Sequence, residues 1–333
     1  MNRSATIEDV ARAAGVSRQT VSNVLNTPAI VRESTRDRVQ DAIRRLGYAP
    51  HASARRLRTR RSSTIGVHLD PYAGGISGVV LDRFVHALTE HAGDRGLRVM
   101  LYAARTPEEE IRRMADLRDG GDIDAVVVTG TFSGDPRTAW LRENAVPFVS
   151  FGRPWGEDDF SRPDHLWVDV DGAAGTAQAT WHAQQSAGAR VAFLGWPAGS
   201  GTGDDRERGW LAGMPDDGPR VRLTAPESVA RAREEVAAAL AVHDIDAIVC
   251  ASDSLAVGAH LAAVTGGRPD LTIIGFDNTP AAEALGLPSV EQLPEDVAAG
   301  VLELLMGDSA VITPRVVEAG AAHVLVEPRL IVR

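Results

Sequence analysis

The chain has 333 residues, of which 44% are hydrophobic and 24% charged, with a net charge of −10. This composition is typical of a globular protein with two or three domains. The single cysteine, Cys250, excludes an internal disulfide framework and is predicted to be a buried core thiol. No apolar run approaches the roughly 18 residues of a membrane-spanning helix, and the N-terminus lacks the hydrophobic stretch of a signal peptide. We therefore expect a cytoplasmic protein.

Charge is distributed unevenly along the chain. Residues 1–61 contain thirteen arginines and five acidic residues, a net charge of +8, whereas the remaining residues carry a net charge of −18. A basic head on an acidic body indicates that the head alone binds a polyanion. Solvation of a charged surface is the alternative explanation, but it does not require so high a charge in so short a segment.

Three short helices are predicted in the head. Thr6 can cap the first helix, with Asp9 as the returning carboxylate of a capping box. Gly15 ends this helix at a tight turn, and Ser17 caps the second helix. Ser34 is predicted to cap the third helix. The order of helix, glycine turn and helix is that of a helix-turn-helix, whose second helix enters the major groove of DNA.

The second helix carries the side chains that base recognition requires. Arg18 is suited to guanine, and Gln19 and Asn23 are suited to adenine, because each can form two hydrogen bonds to the base edge. Hydroxyl side chains, which suit phosphate oxygens, complete the predicted DNA-contacting set of the head: Thr6, Ser17, Thr20 and Ser22. A polar-faced helix in an ordinary three-helix bundle is the alternative, and the arginine content favours DNA binding.

The pattern changes after residue 62 to alternating strands and helices. Helical segments, such as 78–92 and 107–118, separate the apolar runs, which predicts right-handed βαβ units on parallel sheets. Nine short apolar runs are typical of buried parallel strands: 64–69, 98–103, 125–130, 147–152, 166–170, 190–195, 221–225, 247–252 and 272–276. Nine strands fit two sheets better than one, so we predict two α/β lobes that meet near residue 163, with a ligand-binding cleft between them.

Several motifs together resemble the lactose-repressor (LacI/GalR) family of transcriptional regulators. "TIEDVARAAGVSRQTVSNVLN", "VRESTRDRVQDAIRRLGYAP" and "ASARRLRTRRSSTIGV" are similar to its DNA-binding head and hinge. The similarity continues through "WVDVDGAAGTAQAT", "AIVCASDSLAVGAH" and "IIGFDNTP", and so covers nearly the whole chain. The resemblance implies an α/β fold with a three-helix helix-turn-helix head, a hinge helix and a periplasmic-binding-protein-like core of two doubly wound α/β lobes.

The resemblance also implies a division of the chain and a function. The expected parts are a head over 1–50, a hinge over 51–62, an N-terminal lobe over 63–163 plus 290–315, and a C-terminal lobe over 164–289 plus 316–333. The expected function is sequence-specific DNA binding, as a repressor of carbohydrate-utilisation genes that a small effector releases from a palindromic operator. A homodimer is expected rather than a tetramer, because no C-terminal heptad helix follows "VEPRLIVR".

The hinge gains a role from the same resemblance. Leu57 matches the leucine that such repressors insert into the minor groove, where an apolar wedge unstacks a base step and bends the duplex. Arg55, Arg56 and Arg58 are expected to contact phosphates. From the residues alone, 51–61 could equally be a flexible basic linker.

Effector contacts are implied at matching positions of the core. Arg206 and Asp277 match residues that bind sugar hydroxyls in the family, and Gln292 lies at a crossover between the lobes. Two positions depart from the family: Gly152 stands where an aspartate is usual, which removes a carboxylate, and Ser252, a further candidate effector contact, stands where an asparagine is usual, which weakens that contact.

Tryptophans are the other candidates for effector binding. Trp155 and Trp196 are predicted to border the cleft, where their flat faces suit the ring of a mono- or oligosaccharide; packing within the lobes is the alternative. Trp167 and Trp210 also lie near predicted strand ends or loops that border the cleft.

Two other classes of protein are less consistent with the sequence. A transport-associated sugar-binding protein leaves the basic head unexplained. A sugar-modifying enzyme has no support, because the chain has no GxSxG or HExxH motif and no metal-spaced Cys/His cluster. We therefore predict no catalytic residues, no metal and no cofactor.

Overall fold

The computed structural model describes residues 5–48, 62–69, 78–156, 160–161, 163–216, 218–307 and 323–333. The chain forms two compact units, 1–62 and 63–333. The four predicted contacts of the hinge lie outside the described residues: Arg55, Arg56, Leu57 and Arg58. Within the described segments, no helix is long and apolar enough to cross a membrane.

The head consists of three helices around a small apolar core. They are α1 (Ile7–Ala14), α2 (Arg18–Asn26) and α3 (Glu33–Leu46), with a 3₁₀ turn at Pro28–Ile30 before α3. Val10, Val21 and Val39, one from each helix, are wholly buried against one another. Because each helix buries a single apolar stripe, its opposite face stays polar and available.

The predicted helix boundaries at α1 and α2 are confirmed. Thr6 Oγ1 accepts from the Asp9 backbone N–H at 3.3 Å, and the Asp9 carboxylate accepts from the Thr6 N–H at 3.0 Å. Gly15 ends α1 in the left-handed conformation, with φ +61°, which glycine adopts without steric cost. Ser17 Oγ accepts from the Thr20 N–H at 3.1 Å and so caps α2.

The predicted cap of α3 is wrong. The N-cap is Arg32, without a side-chain hydrogen bond, and Ser34 lies inside the first turn. The Arg32 carbonyl accepts from the N–H groups of Thr35 and Arg36, both at 3.0 Å. The preceding 3₁₀ turn ends at Val31, so the helix starts earlier than the serine suggested.

The core contains two six-stranded sheets with helices between the strands. The order is β11–β5–β4–β3–β1–β2 in the first sheet and β12–β10–β9–β8–β6–β7 in the second. Each of the nine predicted apolar runs contains a strand: β1 (Thr64–Leu69), β2 (Arg98–Ala103), β3 (Ala125–Thr129), β4 (Phe148–Phe151), β5 (Trp167–Val170), β6 (Val191–Gly195), β7 (Arg222–Thr224), β8 (Ala247–Cys250) and β9 (Thr272–Phe276).

Three further strands were not predicted: β10 (Ser289–Glu291), β11 (His323–Val326) and β12 (Arg329–Ile331). They are short, and β11 and β12 form sheet edges, where burial on both faces is not required. β10 (SVE) and β12 (RLI) have three residues each, one of them charged, and so lack the continuous apolar run typical of a central parallel strand. β12 pairs with β10 in the antiparallel direction, whereas the other strand pairs are parallel.

The strand pairing moves the boundary between the lobes. β5 pairs with β4 and β11 in the first sheet, so the chain leaves the first lobe after Val170 rather than near residue 163. It returns between β10 and the helix that follows. β11 lies in the first sheet and β12 in the second, which differs from the expected assignment of 316–333 to one lobe. The reason is that the chain alternates between lobes through edge strands, which apolar runs do not reveal.

Nine helices of the described residues cover the two sheets: α4 (Gly78–Asp94), α5 (Pro107–Asp119), α6 (Pro136–Glu143), α7 (Gly172–Ser186), α8 (Gly201–Gly213), α9 (Val229–Leu240), α10 (Asp253–Thr265), α11 (Pro280–Ala284) and α12 (Pro294–Met306). Trp210 and Cys250 are buried in the core of the second lobe. Trp167 is wholly buried within β5. The alternative reading of tryptophans as packing residues therefore holds for Trp167 and Trp210.

Candidate functional site

The first candidate site is the polar face at the start of α2. Arg18 is 68% exposed at its side chain and contacts Glu8 of α1, with Nη1 3.0 Å from Oε1. Gln19 is exposed, and its Nε2 donates to Asn23 Oδ1 at 3.0 Å. The predicted base-reading side chains thus lie along one side of α2. Exposed ion pairs of this kind are weak, so Arg18 is free to exchange Glu8 for another acceptor.

The predicted hydroxyl contacts lie beside the same helix start. Ser17 and Thr20 form a hydrogen bond between their hydroxyl oxygens at 2.9 Å. Thr6 Oγ1 donates to the Asp9 carboxylate at 2.7 Å. Ser22 is partly buried, one turn further on. The hydroxyl oxygens of Thr6 and Ser17 therefore already accept hydrogen bonds as helix caps within the head.

The second candidate site is a cavity of about 220 Å³ in the core. It lies at the carboxyl ends of β3, β4 and β5 of the first sheet and beside α8 of the second lobe, which is the usual place for a ligand in open α/β folds. The described residues that line it are Val80, Leu81, Thr129, Gly130, Thr131, Phe151, Gly152, Trp155, Asp169, Val170, Gly172, Thr202, Asp205, Arg206 and Gln292.

Arg206 is the central charged residue of this cavity. It is 5% exposed and lies over the ring of Phe276, with Cζ 3.7 Å from the ring centroid. Nη1 donates to the Ala251 carbonyl and lies 3.8 Å from Asp277 Oδ1. Burial lowers the pKa of the guanidinium, and Asp277 opposes that shift. The cation is therefore held in an environment poor in water, where added hydrogen-bond acceptors bind strongly.

Asp277 and Gln292 form the second polar element. Gln292 Nε2 donates to Asp277 Oδ1 at 2.6 Å, and both residues are buried. Asp277 has φ +113°, in a region that non-glycine residues rarely adopt and that is often found at functional sites. Gln292 lines the cavity, whereas Asp277 contacts two residues that do.

Trp155 forms the aromatic wall of the cavity. Arg153 lies over its ring, with Cζ 4.9 Å from the centroid. Arg153 is itself buried, donates through Nε to Asp169 Oδ2 at 2.6 Å, and lies 3.5 Å from Asp205 Oδ2 through Nη2. Burial raises the pKa of Asp169, and Arg153 opposes that shift. This guanidinium links two acidic cavity residues, one from each lobe.

Three polar atoms of the cavity are buried without a hydrogen-bond partner among the described residues: Thr129 Oγ1, Trp155 Nε1 and Arg206 Nε. All three residues line the cavity. Buried polar atoms in native proteins are nearly always hydrogen-bonded, and an exception calls for an explanation. A ligand with several hydroxyl groups supplies both the acceptors and the donors that these three atoms need.

Trp196 and Ser252 lie apart from the cavity lining. Glu227 Oε2 accepts from Trp196 Nε1 at 2.7 Å and from Ser252 Oγ at 2.8 Å. The Trp196 ring is 5.4 Å from Arg206 Cζ, so it supports Arg206 from the second lobe. Ser252 is also the N-cap of α10.

The structure thus brings Arg206, Trp155 and Gln292 together at one cavity. Sequence reasoning missed further polar lining residues: Thr129, Thr131, Asp169, Thr202 and Asp205. Thr129, Thr131 and Asp169 lie at or beside the carboxyl ends of β3 and β5, which was a usable signal, whereas Thr202 and Asp205 lie in the first turns of α8. No group of three or more His, Cys, Asp or Glu in the described part of the chain is placed to hold a metal ion.

Two family models match the chain. The model described as "Bacterial regulatory proteins, lacI family" matches residues 6–51. The model described as "Periplasmic binding proteins and sugar binding domain of LacI family" matches residues 79–301. The first match covers the helix-turn-helix, and the second covers most of both lobes.

Individual relatives are similar over most of the chain. The HTH-type transcriptional regulator CelR of Thermobifida fusca is 32% identical over 329 residues, which cover 91% of this chain and 92% of the relative. A solved complex of the regulator CelR with cellobiose has a TM-score of 0.67 and 26% identity, with 99% of each chain covered. The lac repressor dimer bound to operator and the anti-inducer ONPF has a TM-score of 0.77 at 20% identity, covering 99% of this chain and 98% of that one, which is a likeness of fold.

Proposed function

Because this chain belongs to the LacI family of bacterial transcriptional regulators, we propose that it represses transcription from a palindromic operator and that a small carbohydrate in the cleft releases it. The protein is accordingly a regulator rather than an enzyme. The base-reading residues are Arg18, Gln19 and Asn23 of α2. The phosphate contacts are Thr6, Ser17, Thr20 and Ser22 of the head together with Arg55, Arg56 and Arg58 of the hinge, and Leu57 is the minor-groove wedge.

One observation carries the effector part of the proposal. Thr129 Oγ1, Trp155 Nε1 and Arg206 Nε are buried around one cavity without partners among the described residues. The first is a hydroxyl and the other two are N–H donors. A polyhydroxyl ligand matches this mixture, because each of its hydroxyl groups both donates and accepts.

The charge of the cavity supports a neutral effector. Asp277 lies close to Arg206, and Asp169 and Asp205 lie close to Arg153. An anionic effector would have to compete with these carboxylates for the two guanidinium groups. The cellobiose complex of CelR, at 26% identity, supports a mono- or oligosaccharide in the same cleft, with Trp155 against a sugar ring.

The remaining effector contacts are proposed in two layers. Arg206, Gln292 and Trp155 touch the effector, whereas Asp277 orients Arg206 and Gln292 from behind. Trp196 and Ser252 act indirectly, through Glu227 and the position of Arg206.

The regulatory step is proposed to be a movement of the lobes. An effector that contacts Trp155 of the first lobe and Arg206 of the second favours the arrangement in which the lobes are close. It changes operator affinity only as far as it binds that arrangement more tightly than the other. A palindromic operator requires two heads at adjacent major grooves, so the working unit is a cytoplasmic homodimer.

We also propose residue ranges for the head, the hinge and the two lobes. The head occupies 1–50 and the hinge 51–62. Following the strand pairing, the first lobe takes residues 63–170, the α12 region and β11, and the second lobe takes 171–291 and β12.

The first test is selection from a randomised duplex library by the purified full chain at physiological salt. We expect a palindrome with two half-sites, followed by release of the selected duplex when cellobiose or another sugar of a panel is added. Arg206→Ala should retain the palindrome and lose the release. If the retained duplexes share no sequence, the regulator assignment is contradicted. If they share a palindrome but no neutral sugar releases them, the proposed class of effector is contradicted.

A further inference from the structure

Arg83 joins the two lobes beside the cleft. Its Nε and Nη2 donate to the two carboxylate oxygens of Glu295 at 2.9 and 2.8 Å. Its Nη1 lies 3.1 and 3.2 Å from the two oxygens of Glu291. Arg83 and Glu295 lie on α4 and α12 of the first lobe, whereas Glu291 ends β10 of the second sheet. One guanidinium therefore binds carboxylates on both sides of the crossover between β10 and α12.

Glu291 is also held from within the second lobe. It is 4% exposed, and its Oε2 accepts from Asn278 Nδ2 at 2.6 Å. Its Oε1 accepts from the Leu293 N–H at 3.0 Å. Asn278 and Leu293 have φ of +49° and +54°, in the left-handed region that is uncommon for non-glycine residues. The carboxylate of Glu291 thus holds left-handed backbone at two places, Asn278 after β9 and Leu293 in the crossover.

A sequence neighbour of each of Asn278 and Glu291 belongs to the effector site, either in the cavity lining or in contact with it. Asp277 precedes Asn278, and Gln292 follows Glu291. Two side-chain hydrogen bonds consequently join the same two segments, Gln292 to Asp277 and Asn278 to Glu291, both at 2.6 Å. The first bond faces Arg206, and the second faces Arg83.

The helix that carries Arg83 is itself part of the cavity. Val80 and Leu81, in the first turn of α4, line it together with Gln292. Arg83 lies in the following turn and is not part of the lining. The side chain of Arg83, which lies outside the cavity, therefore connects the apolar wall from α4 with the polar wall that follows β10.

We propose that Arg83 is a positioning residue for the effector cleft. By holding Glu291, it fixes the Asp277–Gln292 bond and the α4 wall in one arrangement, so that the two walls move together. The inference rests on the proposed effector function of the cleft and adds to it a residue that does not touch the effector.

The test is hydrogen–deuterium exchange of the full chain without any effector. In Arg83→Met we expect backbone exchange to rise at least fivefold in peptides covering 275–279 and 289–293. Arg83→Lys, which keeps a cation beside Glu291, should restore part of the protection. The matched control is Arg190→Met, because Arg190 also binds two carboxylates, Asp244 and Asp246, but within the second lobe. Its exchange in these peptides should stay within twofold of wild type.

A second variant separates positioning from general loosening. If Arg83 acts through Glu291 on the Asp277–Gln292 bond, Arg83→Met should add little to the exchange at 275–279 once Gln292→Ala is present. Residues without shared partners would instead give additive effects. Additive increases, or unchanged exchange in Arg83→Met, would overturn the proposal.

Two further arms keep the result interpretable. Should Arg83→Met not fold, Glu295→Gln removes only the first-lobe partner and should raise the same exchange in the same direction; no rise in it would also overturn the proposal. Arg83→Met should select the same half-site sequence as the wild-type chain, because the base-reading side chains lie in α2 of the head. If the proposed function is wrong, the wild-type chain will select no shared DNA sequence, and that result does not depend on the exchange data.

Discussion

The indole of Trp155 packs against the backbone of Gly201, so that a Cβ atom added at Gly201 would lie 2.3 Å from Cδ2 of the ring. Trp155 follows β4 of the first lobe, and Gly201 begins α8 of the second. The contact therefore spans the cleft. Because there is no room for even a methyl group between them, the ring and the Gly201 backbone are already in contact. This contact limits how closely the two lobes can approach each other.

Gly201→Ala is expected to destabilise this arrangement of the core by about 1–3 kcal/mol, the usual cost of overpacking. The measurement is the free energy of unfolding of the full chain in urea. Gly93→Ala is the control, because Gly93 lies within α4 and a Cβ there meets nothing within 4 Å. That substitution should be neutral or stabilise by up to about 1 kcal/mol. Equal effects of both substitutions would contradict the packing argument.

Ser17→Ala should destabilise the head by about 1 kcal/mol, because the N–H of Thr20 loses its acceptor at the start of α2. Ser34→Ala is the matched control, since Ser34 lies inside α3 and caps nothing. The head transition in thermal unfolding, followed by circular dichroism, checks both. A larger loss in Ser34→Ala than in Ser17→Ala would argue against the observed start of α3.

Arg18→Ala is expected to relax base preference at one base pair of each half-site by about 1–3 kcal/mol. Arg45→Ala is the control, because Arg45 is exposed on α3 and pairs only with Asp41 among the described residues. Competition binding with half-site variants measures the discrimination. Arg55→Ala, in the hinge, should instead weaken binding to all sequences. It should also reduce the slope of log binding constant against log salt concentration by about one. A uniform loss in Arg18→Ala would contradict its assignment to base reading.

Stability should fall at acid pH because of His165. Burial, together with a smaller effect of Arg142, lowers the pKa of His165 to about 4 in the folded chain. An exposed histidine titrates near about 6.5, so between these values the unfolded chain binds a proton that the folded chain does not. Stability contributed by the neutral ring is complete above about 6.5 and is lost towards pH 4, by about 3 kcal/mol in all.

His165→Gln removes this titration and can still meet Ser150, whose Oγ lies 3.0 Å from His165 Nε2. The unfolding free energy of wild type minus that of the variant should therefore fall as the pH is lowered from 6.5 to 4. A constant difference across that range would mean that His165 does not contribute to the acid sensitivity.

Local signals account for what the sequence predicted well. The capping box of Thr6 and Asp9 and the cap at Ser17 involve residues within one helical turn, so their chemistry is visible in a short window. Seven of the nine predicted strands are almost wholly buried, so they too are visible as short apolar runs. The prediction of burial was wrong for β2 and β7, which are edge strands with exposed positions. The family resemblance extended these local signals to Arg206 and Gln292, whereas Trp155 was predicted from its place beside a strand end bordering the cleft.

Relationships between distant segments were beyond the sequence. Trp155 meets Gly201, and Arg83 meets Glu291, only because the two sheets are brought side by side. Neither pair has a periodicity or a spacing that marks it. The pairing of β5 with β11 is likewise distant, because the residues of β11 follow those of β5 by more than 150 positions.

The pairing of β11 and β12 determines the order in which the parts of the chain fold during synthesis. Because β11 closes one edge of the first sheet and β12 one edge of the second, neither lobe has all of its strands until residues 323–331 have left the ribosome. The head needs none of these strands and can fold about 280 residues earlier, given that domains generally fold as units during translation. A nascent chain thus carries a folded helix-turn-helix head for most of its elongation, before the two lobes and the cleft between them are complete.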